Sequence, residues 1–465
     1  MPASRARTTC GRRANSPART VHAASPPGTP SPVTAIRAAL LTFSGDPFVD
    51  GAGARRYEPD AIVAMAGGRI VDCGAAKDVI ARLPPGTPVT RYGHALVSAG
   101  FVDAHVHYPQ LPIIGAGGKP LLDWLATYTF PCESRFGDAA HARSVAARYF
   151  DENLRNGITS ACVFCTVHPE SVDALFEEAA RREMRIVAGK VLMDRNAPSE
   201  LLDTAERGYA ESKALIAKWH GRERLAYAVT PRFAATSSPA QLEAAAALWH
   251  ETPGAFLQSH VAEHRAEVAL IASLYPERSG YVDVYAHHNL LGPRAIYAHG
   301  IHLADHELAR LAEAGTAIAH CPTSNDFLGS GQFAMHRATK ARVPVALGSD
   351  LGAGTSFSMF RTMQAACDVA QLHGHPLAAS TAWWLATAGA ARALDLDDRI
   401  GTIAPGCDAD LVVVDLHATP LLAFRMRYAG DVDEALAALL ALADDRAVRA
   451  TYVNGRRAYD RDDTL

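Results

Sequence analysis

The stretch FVDAHVHYPQ, Phe101 to Gln110, decides the architecture. It begins as an apolar run of strand length and ends in two histidines spaced two apart, His105 and His107. Residues i and i+2 of a strand share a face, so both imidazoles point into one space. Seven further apolar runs follow, at 158–163, 185–192, 225–229, 255–261, 295–298, 316–319 and 343–347. Ala/Glu/Arg-rich segments of helical character lie between them, among them 140–156, 171–182 and 239–251. Eight alternating strands and helices predict an α/β chain built as a (β/α)8 TIM-like barrel rather than an open doubly wound sheet. No GxGxxG follows a first strand, which weighs against a dinucleotide fold.

Shorter strand-like segments flank this centre. They lie at 35–43, 61–65, 69–73 and 95–98 on one side, and at 400–403, 411–414 and 451–453 on the other. They predict a small β-sandwich domain assembled from the N- and C-terminal segments. The expected division is a disordered extension over 1–32, the barrel over 99–395, and the two parts of the small β domain over 33–98 and 396–465. The first 45 residues carry six arginines and no acid, and the first 32 are rich in Ser, Pro, Thr and Ala without apolar periodicity. Arg12-Arg13 is not followed by an apolar h-region, so the segment reads as a ragged extension rather than a targeting signal.

Of 465 residues 49% are apolar and 20% charged, with a net charge of −4. That composition excludes a largely disordered chain and advertises neither nucleic acid nor an anionic membrane as partner. No run of about 18 apolar residues is present to span a bilayer. Eight cysteines are too few for a disulfide scaffold and suit reduced thiols in a cytoplasm. Cys162 and Cys165 form a CxxC, but strand alternation sends them to opposite faces, so packing is favoured over a metal or redox role.

The active site of such a barrel lies where its strands end. Polar residues stand there: Asp103, His105 and His107 on the first strand, Arg232 (followed by Phe233) after the fourth, and His260 and Glu263 at the fifth. His299 ends the sixth, and Ser349-Asp350 the eighth. With 20 histidines, about one HxH arises by chance, and His373-Gly374-His375 reads as that one, in a surface loop. His105, His107, His260 and Asp350 supply four N/O ligands for a divalent ion. Glu263, three residues past His260, would take a proton from water and pass it to a substrate nitrogen; its other reading is a helix-start glutamate. Cys321 reads as structural, His287-His288 as surface, and Gly352 and Gly354 as either ligand approach or a turn. Three glycines in 111–119 suit a mobile lid.

These residues carry a resemblance. FVDAHVHYPQ is similar to the metal-binding strand of the amidohydrolase superfamily, and within it to the guanine deaminases. PLLDWLATYTFPCESRF (120–136), KVLMDRNAP (190–198), TPRFAATSSPAQL (230–242) and HVAEHRAEV (260–268) agree. So do IYAHGIHL (296–303), HCPTSNDFLGSG (320–331) and GSDLGAGTSFSMFRTM (348–363). The resemblance implies hydrolytic deamination of guanine to xanthine and ammonia by a zinc-bound hydroxide, in purine catabolism and salvage. It places one Zn2+ on His105, His107, His260 and Asp350, with Fe2+ equally compatible with such ligands. Glu263 would shuttle the proton, His299 would orient the hydroxide, and Asp350 would also accept a proton. Arg232 would recognise the purine carbonyl, its other reading being a surface ion pair, while Gln110 and Phe233 would contact the ring. No lysine ends strand four, which favours a mononuclear site. A cytoplasmic homodimer is implied as well.

The rivals are 8-oxoguanine, adenosine or triazine chemistry on the same scaffold, and a non-catalytic scaffold protein, which should have lost ligands or the shuttle acid, whereas this chain keeps His105, His107, His260, Glu263, His299 and Asp350 together. A cytidine-deaminase-like site needs HxE with PCxxC, and Pro131-Cys132 lacks the second cysteine.

Overall fold

The computed structural model describes residues 31–464. The extension expected over 1–32 lies outside the described residues up to residue 30. Two sheets organise the chain. The larger is the expected parallel barrel, whose strands we number β1 (Phe101–His107), β2 (Ile158–Phe164), β3 (Arg185–Gly189), β4 (Leu225–Pro231), β5 (Phe256–Val261), β6 (Ala295–His299), β7 (Ala317–His320) and β8 (Val345–Leu347). They pair in chain order, all parallel. The run expected as a single third strand breaks at Lys190, after which Val191–Leu192 pairs with β4. Lys190 is fully buried there, with its ammonium on the carboxylate of Asp203.

The barrel closes between β8 and β1 through polar groups. The Asp350 N–H donates to the His105 carbonyl at 2.8 Å. The Ser349 N–H donates to Asp103 Oδ1 at 2.8 Å, and the Ser349 hydroxyl bonds the other Asp103 oxygen. Gly348 allows this approach, because a Cβ there would lie 2.8 Å from the His105 Cβ. Inside, small residues such as Ala104, Ala228, Ala298 and Ala346 fill the lower barrel, and Cys162 joins them. Cys165 packs in the separate outer layer between strands and helices. Burial drives both thiols up, so the CxxC is packing.

The second sheet has seven strands in the order Arg456–Asp460, Val448–Val453, Leu411–Asp415, Val89–Ala99, Thr34–Phe43, Arg55–Ala66 and Arg69–Ala75. Both ends of the chain therefore meet in it, Leu411–Asp415 pairing antiparallel with Val89–Ala99. Buried Asp408 and Asp410 tie it to the barrel through Arg185 and Arg224. Asp408 receives Arg185 at 2.6 Å, Arg69 at 2.9 Å, and Arg224 and Arg399 at 3.4 Å, while Arg224 also binds Asp410. Among the described residues no helix is long and apolar enough to cross a membrane.

His373 and His375 do lie near the surface, His375 stacked on His336. The His287-His288 pair, expected at the surface, is divided between surface and interior. His287 is exposed, but His288, at the end of the helix Tyr281–His287, turns inward and is buried.

Candidate active site

The residues expected at the strand ends gather at one cleft at the C-terminal mouth of the barrel, except Asp103 and Ser349, which bond each other at the seam between β8 and β1. The lining of the cleft includes His107, Gln110, Arg232, Phe233, His260, Glu263, His299 and Asp350. His105 lies just beneath, its Nε2 3.3 Å from Asp350 Oδ1. His107 Nε2 stands 3.6 Å from the same oxygen and 3.1 Å from His260 Nε2. The backbone is strained where it delivers these groups: Ala262, His299 and Asp350 all sit at positive φ, 49°, 74° and 48°. A non-glycine residue held there costs about 1–3 kcal/mol, and such residues cluster at functional sites.

Outer hydrogen bonds set the ring tautomers. His260 Nδ1–H donates to the Arg232 carbonyl at 2.6 Å, and His299 Nδ1 meets Asn325 Oδ1 at 2.9 Å. A ring whose Nδ1–H is spent this way turns the lone pair of Nε2 inward, as metal-binding histidines do. Burial holds His105, His107 and His260 below the usual histidine range, most strongly the last two. They are therefore neutral imidazoles, the form that binds a metal. The buried His105 Nε2, which faces the Asp350 carboxylate, makes no hydrogen bond. Three imidazoles and a carboxylate with unspent acceptors suit a divalent cation.

Other donors lie close. The nitrogens of His105, His260 and His299 fall within 4.8 Å of one another, as do the ligand atoms of His105, Cys321 and Asp350. Burial keeps the Cys321 thiol well above its usual range, so it offers no thiolate. His299 differs from the other three. Burial alone would lower its pKa, but Glu263 and Asp350 outweigh that and raise it. Its Nε2 lies 3.5 Å from Glu263 Oε2 and 3.8 Å from Asp350 Oδ2.

Glu263 is buried, and burial pushes its carboxyl up to about 7. The Ser330 hydroxyl donates to its Oε1 at 3.1 Å. Its backbone N–H, and that of His264, donate to Glu267 Oε2 at 2.8 and 3.0 Å. Glu267 thus closes the capping box of helix Arg265–Leu274, while Tyr281 donates to its other oxygen at 2.6 Å. Glu263 itself precedes that helix and faces the cleft. Arg232 is buried, not in a surface ion pair: its Nη1 donates to Glu133 Oε2 at 2.7 Å.

Sequence reading missed Glu133, Glu267, Asn325 and Ser330. Only Glu267 carried a local signal, the acidic residue three positions after an N-cap. Trp124, with Leu121 and Leu125, forms the apolar wall of the cleft, the Trp124 indole N–H held by the Ala116 carbonyl at 2.5 Å. Gly352 packs against the Gln110 side chain. At φ +118°, a Cβ there would come within 2.3 Å of Gln110 Oε1.

A parallel barrel with histidines and carboxylates gathered at its mouth is the arrangement of a metal-assisted hydrolase, and the chain belongs to the amidohydrolase family, which it matches over residues 96–458. Within that family it aligns with guanine deaminases. It is 46% identical to the guanine deaminase of Escherichia coli (strain K12) over 410 residues, 88% of this chain and 93% of that protein. The solved E. coli guanine deaminase matches with a TM-score of 0.90 at 44% identity, covering 92% of this chain and all of that one (100%). The guanine deaminase of C. acetobutylicum, solved with guanine bound in its active site, matches with a TM-score of 0.83 at 26% identity, covering 92% and 100%.

Proposed function

We propose that this protein is a guanine deaminase, releasing the 2-amino group of guanine as ammonia and leaving xanthine, with one divalent metal ion, zinc by preference, held by His105, His107, His260 and Asp350. One observation carries the reading. Three neutral imidazoles and a carboxylate converge at the floor of a cleft that also holds a proton-carrying glutamate and a buried arginine. When bound, the ion supplies the charge that makes water nucleophilic near neutral pH.

The chain's own groups do the rest. Ser330 occupies Glu263 Oε1, which leaves Oε2, on the His299 side, to take a proton from water and deliver it to the ring nitrogen beside C2. That nitrogen gains the first proton of the water as C2 becomes tetrahedral; the second, released from the hydroxyl then on C2 by way of Asp350, converts the amino group to departing ammonia as the C2–N bond breaks. His299, fixed by Asn325, holds the water in line between Glu263 and Asp350. Arg232 offers donors to the 6-carbonyl, where adenine would present a competing N–H. Phe233 and Trp124 bound the ring. The likeness to guanine deaminases also supports a cytoplasmic homodimer serving purine catabolism.

The test is to follow the ultraviolet conversion of guanine to xanthine, with ammonia release, before and after dialysis against a strong chelator. Turnover that is lost on chelation and restored by zinc supports the proposal. With about one metal bound per chain but no turnover, guanine is the wrong heterocycle, and 8-oxoguanine comes next. Absence of both refutes an enzyme of this kind.

A further inference from the structure

Glu133 is fully buried, yet it touches no atom proposed to react. It ends the short helix Phe130–Glu133, and its two oxygens are divided between two cleft residues. Gln110 Nε2 donates to Oε1 at 3.0 Å, and Arg232 Nη1 donates to Oε2 at 2.7 Å. The same turn secures the guanidinium from another side, with Arg232 lying 5.7 Å over the Phe130 ring. It is anchored in turn to the Gln110 segment by the Cys132 thiol, which donates to the Pro109 carbonyl at 3.3 Å.

A carboxylate accepts and never donates, so it decides which way a neighbouring amide faces. Facing Glu133, Gln110 must present Nε2 and turn its carbonyl Oε1 away, against Gly352, the position where a Cβ would strike that oxygen. One arm of Glu133 therefore makes Gln110 an acceptor toward the cleft. The other pins Arg232 as the adjacent donor, its charge balanced in place. Resting on the reading above, we propose that Glu133 is the positioning residue that writes the donor–acceptor code of the substrate cleft, selecting heterocycles that carry a carbonyl oxygen beside a ring N–H. Ligands lacking the carbonyl leave the Arg232 donors unmatched, and a site with unpaired buried polar groups rejects such analogues strongly.

The experiment compares two unreactive ligands, hypoxanthine and purine, which differ in the 6-oxo group and both lack the 2-amino group. Their dissociation constants are measured by calorimetry on the metal-loaded protein. The wild type should bind hypoxanthine at least tenfold more tightly than purine. Glu133→Gln substitutes an amide that donates as well as accepts, so Gln110 is free to turn over and Arg232 loses its fixed partner. The preference should then fall about tenfold while the purine constant stays within threefold.

Glu133→Asp keeps the charge but shortens the arm by one methylene. It should fold even if the Gln variant does not, and it should lose the preference in the same direction. An unchanged ratio in the folded variants overturns the proposal. So does an equal weakening of both ligands, which is what a merely structural role would produce. Because binding is read without turnover, a wild type that fails to deaminate guanine but shows the shift would refute the proposed function and leave the role of Glu133 standing.

Discussion

The seam between β8 and β1 offers a sharp perturbation, Gly348→Ala. The added methyl would stand 2.8 Å from the His105 Cβ and 3.0 Å from both its backbone nitrogen and oxygen. Carbon atoms pack at about 3.5–4.0 Å, so the site is short by roughly 0.7 Å or more. The obstruction is backbone and a Cβ, which cannot swing aside, so β1 or β8 must shift. Overpacking of that kind costs about 1–3 kcal/mol. The displaced strand carries His105 and, through the hydrogen bond between the Asp350 N–H and the His105 carbonyl, moves Asp350 as well.

Misplacing a first-contact group by about 1 Å costs on the order of 100-fold in rate, and disturbing the supports of metal ligands costs about 10- to 100-fold in metal affinity. Gly348→Ala should therefore lower the melting temperature by several degrees, lower kcat about 100-fold and weaken metal retention in a chelator titration. Gly53→Ala is the matched control. Its Cβ meets nothing within 4 Å, so it should be neutral or slightly stabilising. A Gly348→Ala protein with wild-type melting temperature, metal content and kcat would refute the account of the seam.

Other outcomes follow from the contacts described. Ser330→Ala removes the donor to Glu263 Oε1 and should lower kcat about five- to tenfold with KM within twofold; an unchanged kcat in steady-state kinetics would count against it. Cys321→Ala should keep kcat within threefold, because the thiol is buried and neutral; loss of activity with an intact fold would return it to the chemistry. Asp408→Ala leaves the buried Arg185 without its carboxylate partner and should cost about 3–5 kcal/mol in denaturant unfolding, with KM unchanged. The pH dependence of that cost has a defined sign. Burial alone would raise the Asp408 carboxyl, but Arg185 and the other arginines hold it below the usual range. Its stabilisation is present above the unfolded carboxyl value, about 3.9, and lost as pH falls through the lower folded value. The gap between wild type and variant should hold steady from about pH 5 to 8 and shrink only below about pH 4; a gap that closes nearer neutrality would contradict this assignment.

The barrel was readable because each strand is a short apolar run buried on both faces, and because polar residues break that pattern at the mouth. His105 and His107 stand out for being two apart where only apolar residues are expected, and Asp350 for closing a run of Val, Ala and Leu. Glu133, Asn325 and Ser330 gave no such signal. Each acts through a partner tens of residues away in sequence: Arg232 lies 99 residues from Glu133, and Glu263 lies 67 from Ser330. Polar residues in loops look alike until folding shows which are buried. His288 misled for the opposite reason, since an adjacent histidine pair suggests a solvated helix end, yet only His287 faces outward.

The seven-stranded sheet also sets a timetable for synthesis. Its first four strands, from Thr34–Phe43 to Val89–Ala99, can pair with one another as soon as they leave the ribosome. Val89–Ala99 then presents an open edge until Leu411–Asp415 arrives, with Val412 opposite Ser98. About 300 residues at 5–20 per second keep that edge waiting roughly 15–60 s. An unpaired edge is a template for another nascent chain. Chains stalled before residue 411 should therefore aggregate through the N-terminal sheet even where the barrel has already folded, and the last fifty residues act as the cover that ends this exposure.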